Sequence, residues 1–190
     1  MCSSPRWRGE VSQASRAAAM RDDGGSAVIR IPRLALIAYV LAVAVIISDQ
    51  ALKYWVLDVF RLPDHSPSPL AGPFWLTLVW NKGVSFGVLN IDADWTRWVL
   101  SAFSLGVAAA LAVWAWRVDR PILALAVGLI IGGAVGNAID RVRLGAVTDF
   151  IDVTRLWFPW VFNLADSAIS VGSVLLIWDL FLAPRNKAAG

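Results

Sequence analysis

The sequence predicts an α-helical polytopic membrane protein, with four transmembrane helices carrying a small β-rich extracytoplasmic platform. Three observations point there. Of 190 residues, 58% are hydrophobic and 16% charged, and the mean hydropathy is +0.63; soluble domains run about 45–50% apolar and about 25% charged. Four apolar stretches approach the roughly 17–25 residues that cross a bilayer core. Two of the segments that connect them are rich in aromatic and β-favouring residues.

Residues 1–30 stand apart. Arg6, Arg8, Arg16, Arg21 and Arg30 are interspersed with Ser, Gly and Ala and no apolar run, which predicts a flexible basic cytoplasmic tail and not a signal peptide. Met20 is an alternative start, and Cys2 has no assigned role. The membrane domain is expected over residues 31–184, with a short cytoplasmic tail over 185–190.

The first span begins with the uncharged Leu34–Ser48 and continues through Asp49, Gln50 and Lys53 to about Leu57. An outer loop at about 58–96 follows. In it Phe74–Trp80 reads as a strand, Asn81-Lys82-Gly83 as a break and Val84–Val88 as the second arm of a hairpin. Its Pro-rich stretch carries His65, the only histidine, which reads as a solvated loop residue. Trp98–Trp116 is the second span, about 28 Å long at helical rise. Arg117 to Arg120 form a tight turn. Pro121–Ile139 is the third span, with proline well placed at a helix start. A second outer loop, about 142–165, holds the aromatic run Leu156–Ala165, and Ser167–Trp178 begins a fourth span that reaches about Ala183. Trp and Phe in these loops suit the membrane interface.

Orientation follows from short basic flanks. Arg30, Arg33, Arg117, Arg120, Arg185 and Lys187 share one side of a four-span chain, so that side and both termini are expected in the cytoplasm. The small net charge of +3 therefore reads as topology, not nucleic-acid binding.

Composition also narrows the chemistry. One Cys and one His exclude a disulfide framework and a Cys/His zinc cluster, and no metal or cofactor is expected. All but one of the 14 acidic residues are aspartates. The costly polar groups gather at one depth: Asp49, Gln50 and Lys53 close the first span, Asn137, Asp140 and Arg141 the third, and Asn163 and Asp166 open the fourth, with Asp149 and Asp152 in the loop between. Asp49 and Lys53, four apart, can pair. Gly132, Gly133 and Gly136 let a neighbouring helix or a substrate backbone approach closely. Two carboxylates facing each other in a low-dielectric pocket share one proton and can perform general acid–base hydrolysis. Residue pattern alone leaves open which of the five outer aspartates pair, and whether ion pairs with Lys53, Arg141 or Arg143 account for them instead.

These residues resemble the bacterial lipoprotein signal peptidases, signal peptidase II. The pieces are Asp49-Gln50-Ala51-Leu52-Lys53, Asn81-Lys82-Gly83-Val84-Ser85-Phe86-Gly87, the run Gly132–Arg141, Val147-Thr148-Asp149-Phe150 and Phe162-Asn163-Leu164-Ala165-Asp166-Ser167, spanning about residues 34–183. Ser85 stands where the family pattern has Ala. The resemblance implies an aspartic endopeptidase of the bacterial inner membrane. It implies cleavage before a diacylglyceryl-modified cysteine in prolipoproteins, with Asp149 and Asp166 as the catalytic pair at the outer face. Asn81, Gly83, Gly133, Asn137, Arg141 and Asn163 are then expected to bind or orient substrate, and Asp49, Lys53 and Asp140 to support the site. Asp152 becomes a nearby decoy. The partners implied are the lipidated substrate and membrane lipid, with no nucleic acid, and the chain is read as a monomer.

Other readings compete. A non-enzymatic adaptor would use the aromatic loops to bind a partner. A proton-coupled transporter needs polar groups at mid-bilayer, where Trp98–Trp116 offers two serines and Pro121–Ile139 only Asn137. A Ser–Lys protease built on Lys53 with Ser167 or Ser85 lacks a distinctive serine motif.

Overall fold

The computed structural model describes residues 31–83 and 93–182. The two expected tails, Cys2, Met20 and the Val84–Val88 arm with Ser85 lie outside the described residues.

Among the described residues, four helices are long and apolar enough to cross a membrane. Helix α1, Arg33–Tyr54, passes into a π-helical turn at Trp55–Val59; α2 is Ala93–Ala115, α3 Pro121–Leu144 and α4 Leu164–Ile177, itself extended by a π turn at Trp178–Leu182. Pro121 opens α3 as expected, since its missing N–H costs nothing in a first turn. Two ends differ from the sequence expectation. Helix α3 runs past Ile139 to Leu144 because Asp140 and Asn137 turn inward to buried partners, and Gly145, at φ 79°, caps it by donating to Arg141 O. Helix α4 starts at Leu164, earlier than Ser167, because Asn163 and Asp166 form a reciprocal capping box.

Helix α3 is the axis of the bundle and is buried over most of its length, whereas the other three expose rows such as Leu36, Val40, Val43 and Ile47 on α1. Small residues bring the backbones together. A Cβ on Gly132 would lie 2.6 Å from Val45 Cβ of α1, and one on Gly172 of α4 would lie 2.8 Å from Ala126 O of α3. The membrane core is correspondingly alanine-rich, with Ala35, Ala38, Ala42, Ala108 and Ala124 buried. Close van der Waals packing of this kind replaces the hydrophobic driving force that is absent in lipid.

A four-stranded antiparallel sheet, ordered β1-β2-β3-β4, sits at the end of α1: β1 Ser68–Ala71, β2 Phe74–Asn81, β3 Val147–Asp152 and β4 Val161–Phe162. Strand β2 is as predicted, but the hairpin seen is made with the segment before it, β1, across the turn at Gly72. Its other edge pairs with β3 from the second outer loop. Val56, Leu62, Leu76 and Phe150 form a second small core that seats this platform on the helix end. His65 lies edge-on against Phe60, ring centroids 4.7 Å apart.

Candidate active site

The sheet register and one helix cap bring Asp149 and Asp166 to a single cleft. Asp149 is opposite Val79 and Asn81 is opposite Val147, so Asn81 and Asp149 are diagonal neighbours on one face. Asn81 Nδ2 accordingly donates to Asp149 Oδ2 at 3.0 Å. Asp166 is the third residue of α4. Its backbone N–H donates to Asn163 Oδ1 at 2.9 Å, and the Asn163 N–H returns to Asp166 Oδ2 at 3.3 Å.

Asn163 is wholly buried and uses the rest of its amide on the partner acid: Nδ2 donates to Asp149 Oδ1 at 2.7 Å and to Asn137 Oδ1 at 3.2 Å. Asn137 Nδ2 then donates to Asp166 Oδ1 at 2.7 Å. Every oxygen of the two carboxyl groups thus receives an N–H donor. The amides cannot turn over, because each side-chain oxygen is itself claimed by a donor. Gly83 N holds Asn81 Oδ1 at 2.8 Å, Asp166 N holds Asn163 Oδ1, and Lys53 Nζ at 3.4 Å joins Asn163 on Asn137 Oδ1.

Electrostatics separate the outer aspartates. Asp149, 2% exposed, has its pKa pushed up to about 6, first by burial and then by the negative charge of Asp166; the Asn81 and Asn163 hydrogen bonds and the Lys53 charge pull the other way. Asp152 goes down. Burial alone would raise it, but the Thr77 hydroxyl, the Thr154 amide and Arg155 outweigh that. Its oxygens are 2.5 Å from Thr77 Oγ1 and 2.8 Å from Thr154 N, and it makes no described contact with Asp149 or Asp166.

The cleft has a volume of about 560 Å³. Asn81, Asp149, Asp166, Ser167 and Ser170 give it a polar strip, and Phe158, Trp160, Val161, Phe162 and Val171 an apolar wall. Asp166 also opens onto a second cleft, about 290 Å³, that includes Phe103, Ser104, Asn137 and Arg141. Arg141 Nη1 is 3.5 Å from Asn137 O, and its buried Nε has no hydrogen-bond partner among the described residues.

Lys53 is buried behind the cleft, at 2.7 Å from Asp49 and 2.9 Å from Asp140. No described contact joins it to Ser167, whose hydroxyl donates to Asn163 O at 3.0 Å. Two glycines expected to bind or orient substrate have close intramolecular neighbours. Gly133 faces Ala165 O and Ile169, so its missing side chain admits α4. Gly83, at φ 82°, turns the chain so that its N–H locks Asn81, and a Cβ there would run into Leu100. Among the described residues no group of three His, Cys, Asp or Glu is arranged to hold a metal ion.

Ser170 and Val171 reach the cleft by their helical spacing from Asp166 and Ser167, the one sign of them in the sequence. Phe158 and Trp160 stand in the sequence only as members of an aromatic run. Their place in the cleft depends on the loop between β3 and β4, where Trp157 takes a positive φ of 63°.

Comparison with known proteins agrees with this architecture. A family model described as signal peptidase (SPase) II matches residues 41–182. The lipoprotein signal peptidase of Caulobacter vibrioides is 52% identical over 160 residues, which is 84% of this chain and 95% of that protein. The lipoprotein signal peptidase of Nitrobacter hamburgensis is 42% identical over 158 residues, 78% and 94% of the two chains. A solved bacterial membrane enzyme superposes with a TM-score of 0.67 at 27% identity, covering 80% of this chain and 92% of its own.

Proposed function

The chain belongs to the signal peptidase II family, and from that membership we propose that Asp149 and Asp166 hydrolyse the bond before a diacylglyceryl-modified cysteine in prolipoproteins. As a family member it is a multi-pass bacterial membrane peptidase that processes lipoproteins. The adaptor and transporter readings lose their footing with that assignment.

One observation carries the catalytic reading. Asn163, fixed by the cap of α4, donates simultaneously to both acids and so ties them to the wall of one cleft. Burial and the neighbouring charge favour a proton on Asp149. Asp166, in the first turn of α4, accepts from Asn137 Nδ2 and from the Asn163 N–H. A water between them loses a proton to the Asp166 carboxylate as its oxygen bonds to the scissile carbonyl carbon, and Asp149 passes its proton to the carbonyl oxygen. The tetrahedral intermediate then collapses: the C–N bond breaks, Asp166 returns its proton to the leaving amine, and the hydroxyl proton goes back to Asp149. One water is consumed and the pair regains its starting state, which is general acid–base catalysis by coupled carboxyls.

The remaining side chains fit a lipidated substrate. The Phe158 and Trp160 wall offers apolar surface beside the acids, and Arg141 offers a donor at the second cleft. We place the acids at the outer face of the inner membrane with both termini in the cytoplasm, on the strength of Arg33, Arg117 and Arg120 at the opposite ends of the spans. The chain is proposed to act as a monomer, since both acids and all their donors come from one copy. The test is accumulation of lipidated prolipoprotein in cells depending on Asp149→Asn or Asp166→Asn. Uncleaved precursor is expected for both, and normal processing by either variant refutes the pair.

A further inference from the structure

The polar cluster behind the acids is connected to them through the backbone. Asp49 accepts Lys53 Nζ on Oδ2 at 2.7 Å and the backbone N–H of Ala165 on Oδ1 at 3.0 Å. Asp140 accepts Lys53 Nζ on Oδ2 at 2.9 Å and the backbone N–H of Thr148 on the same oxygen at 3.0 Å. Ala165 is the residue immediately before Asp166, and Thr148 is the residue immediately before Asp149. The two carboxylates held by one ammonium therefore each grip the peptide that carries one acid of the pair.

We propose that Asp49, Lys53 and Asp140 form a clamp that sets the separation and orientation of Asp149 and Asp166, with Lys53 as its central positioning residue. The inference rests on those two acids being the catalytic pair. It is not an argument from stability: burying three charges exacts a desolvation cost that their attraction at best offsets, and apolar replacements of similar volume are often as stable. What the ions add is fixed geometry. Asp49 is on α1, Asp140 on α3, Thr148 on β3 and Ala165 on α4, so the clamp gathers the four elements whose packing would otherwise set the distance between the acids. Gln50 braces it, donating to Asp140 Oδ1 at 2.9 Å and to Asp49 Oδ2 at 3.2 Å. Gly136 leaves the room it needs, since a Cβ there would lie 2.9 Å from Asp49 Oδ2. Reacting groups must be held within about 0.5 Å for a proton to pass on cue, and a rigid support behind the acids supplies that without touching substrate.

The test compares Asp49→Asn, Asp140→Asn and Lys53→Gln as purified full-length protein in detergent, with the folded fraction measured by thermal unfolding. Per folded molecule, cleavage of lipidated prolipoprotein is expected to lose about 100-fold or more in kcat with KM within about threefold. The acid and alkaline limbs of the pH–rate profile are expected to draw together, because more widely spaced carboxyls couple less. The charges facing the pair are Lys53 from α1, Asp140 and Arg141 from α3, and each acid on the other. Where Lys53→Gln does not fold, Asp49→Asn and Asp140→Asn decide, because each keeps an oxygen for the backbone N–H it grips. Folded variants with parental kcat and pH profile, or with a rise in KM alone, overturn the clamp. If Asp149→Asn and Asp166→Asn are inactive in the same assay, the clamp alone has failed; if those two cleave normally, the catalytic pair itself was wrong.

Discussion

Asn163 Nδ2 lies 2.7 Å from Asp149 Oδ1, and no part of Asn163 is exposed. An N-cap chosen only for helix α4 would accept from the helix and do nothing more. This one accepts with its oxygen and donates with its nitrogen, so the residue type is set by both ends of the amide.

Asn163→Asp separates the two roles. Aspartate caps a helix as well as asparagine, so the bond from Asp166 N survives, but an acceptor then faces Asp149 and Asn137 where a donor stood. The expected outcome is a loss of about 100-fold or more in kcat with α4 still formed, read by single-turnover cleavage and circular dichroism. Asn163→Ala loses the cap as well, and is expected to cost about 2–4 kcal/mol of stability.

The raised pKa of Asp149 makes stability depend on pH in a definite direction. Its folded value of about 6 lies above the ordinary 3.8, so the folded state binds more protons than the unfolded state in that interval. The favourable contribution is complete below about pH 4 and is lost as pH rises through about 6, a change on the order of 3 kcal/mol. Asp149→Asn abolishes the titration. The difference in Tm, variant minus parent, is therefore expected to rise between pH 4 and 7 and to level off above that; a flat difference counts against the shifted acid.

Gly133→Ala probes the approach of α4 to α3. Its methyl group would press on Ala165 O, which is backbone and cannot swing away, and on Ile169. Overpacking of about 1–3 kcal/mol is expected. Because Ala165 precedes Asp166, cleavage is expected to fall as well, at unchanged KM.

At the opposite end of the bundle Arg120 holds both oxygens of Asp179 at 2.9 Å, joining the α2–α3 turn to the end of α4. Arg120→Ala strands a buried carboxylate. A destabilisation of about 1–3 kcal/mol is expected, the Arg120 side being a third exposed, with kcat per folded molecule unchanged because the pair lies far along the helices from the acids.

Most of the helical architecture was legible, since long uncharged runs and a proline start leave little choice in lipid. Helix ends were less so: Asp140 reads as the close of α3 by polarity, yet it finds buried partners and the helix runs on to Leu144. The sheet was half legible. Strand β2 announced itself by composition, but β1 is short, and the pairing of β2 with β3 from the other outer loop is a tertiary outcome that no local pattern encodes. In the site, the motif residues were visible and their convergence at one depth was readable. The direction of each amide and the grip of Asp49 and Asp140 on Ala165 and Thr148 were not, because backbone donors leave no mark in a sequence.

Asp149 and Asp166 are proposed to work as one device. The most direct measurement is the single-turnover cleavage rate of Asp149→Asn, Asp166→Asn and the double variant on lipidated prolipoprotein. Each single change is expected to cost about 10³-fold or more, and the double variant to be no slower than the worse single, since residues acting as a unit are not additive. A single variant within tenfold of the parent, or losses that multiply in the double, would contradict it.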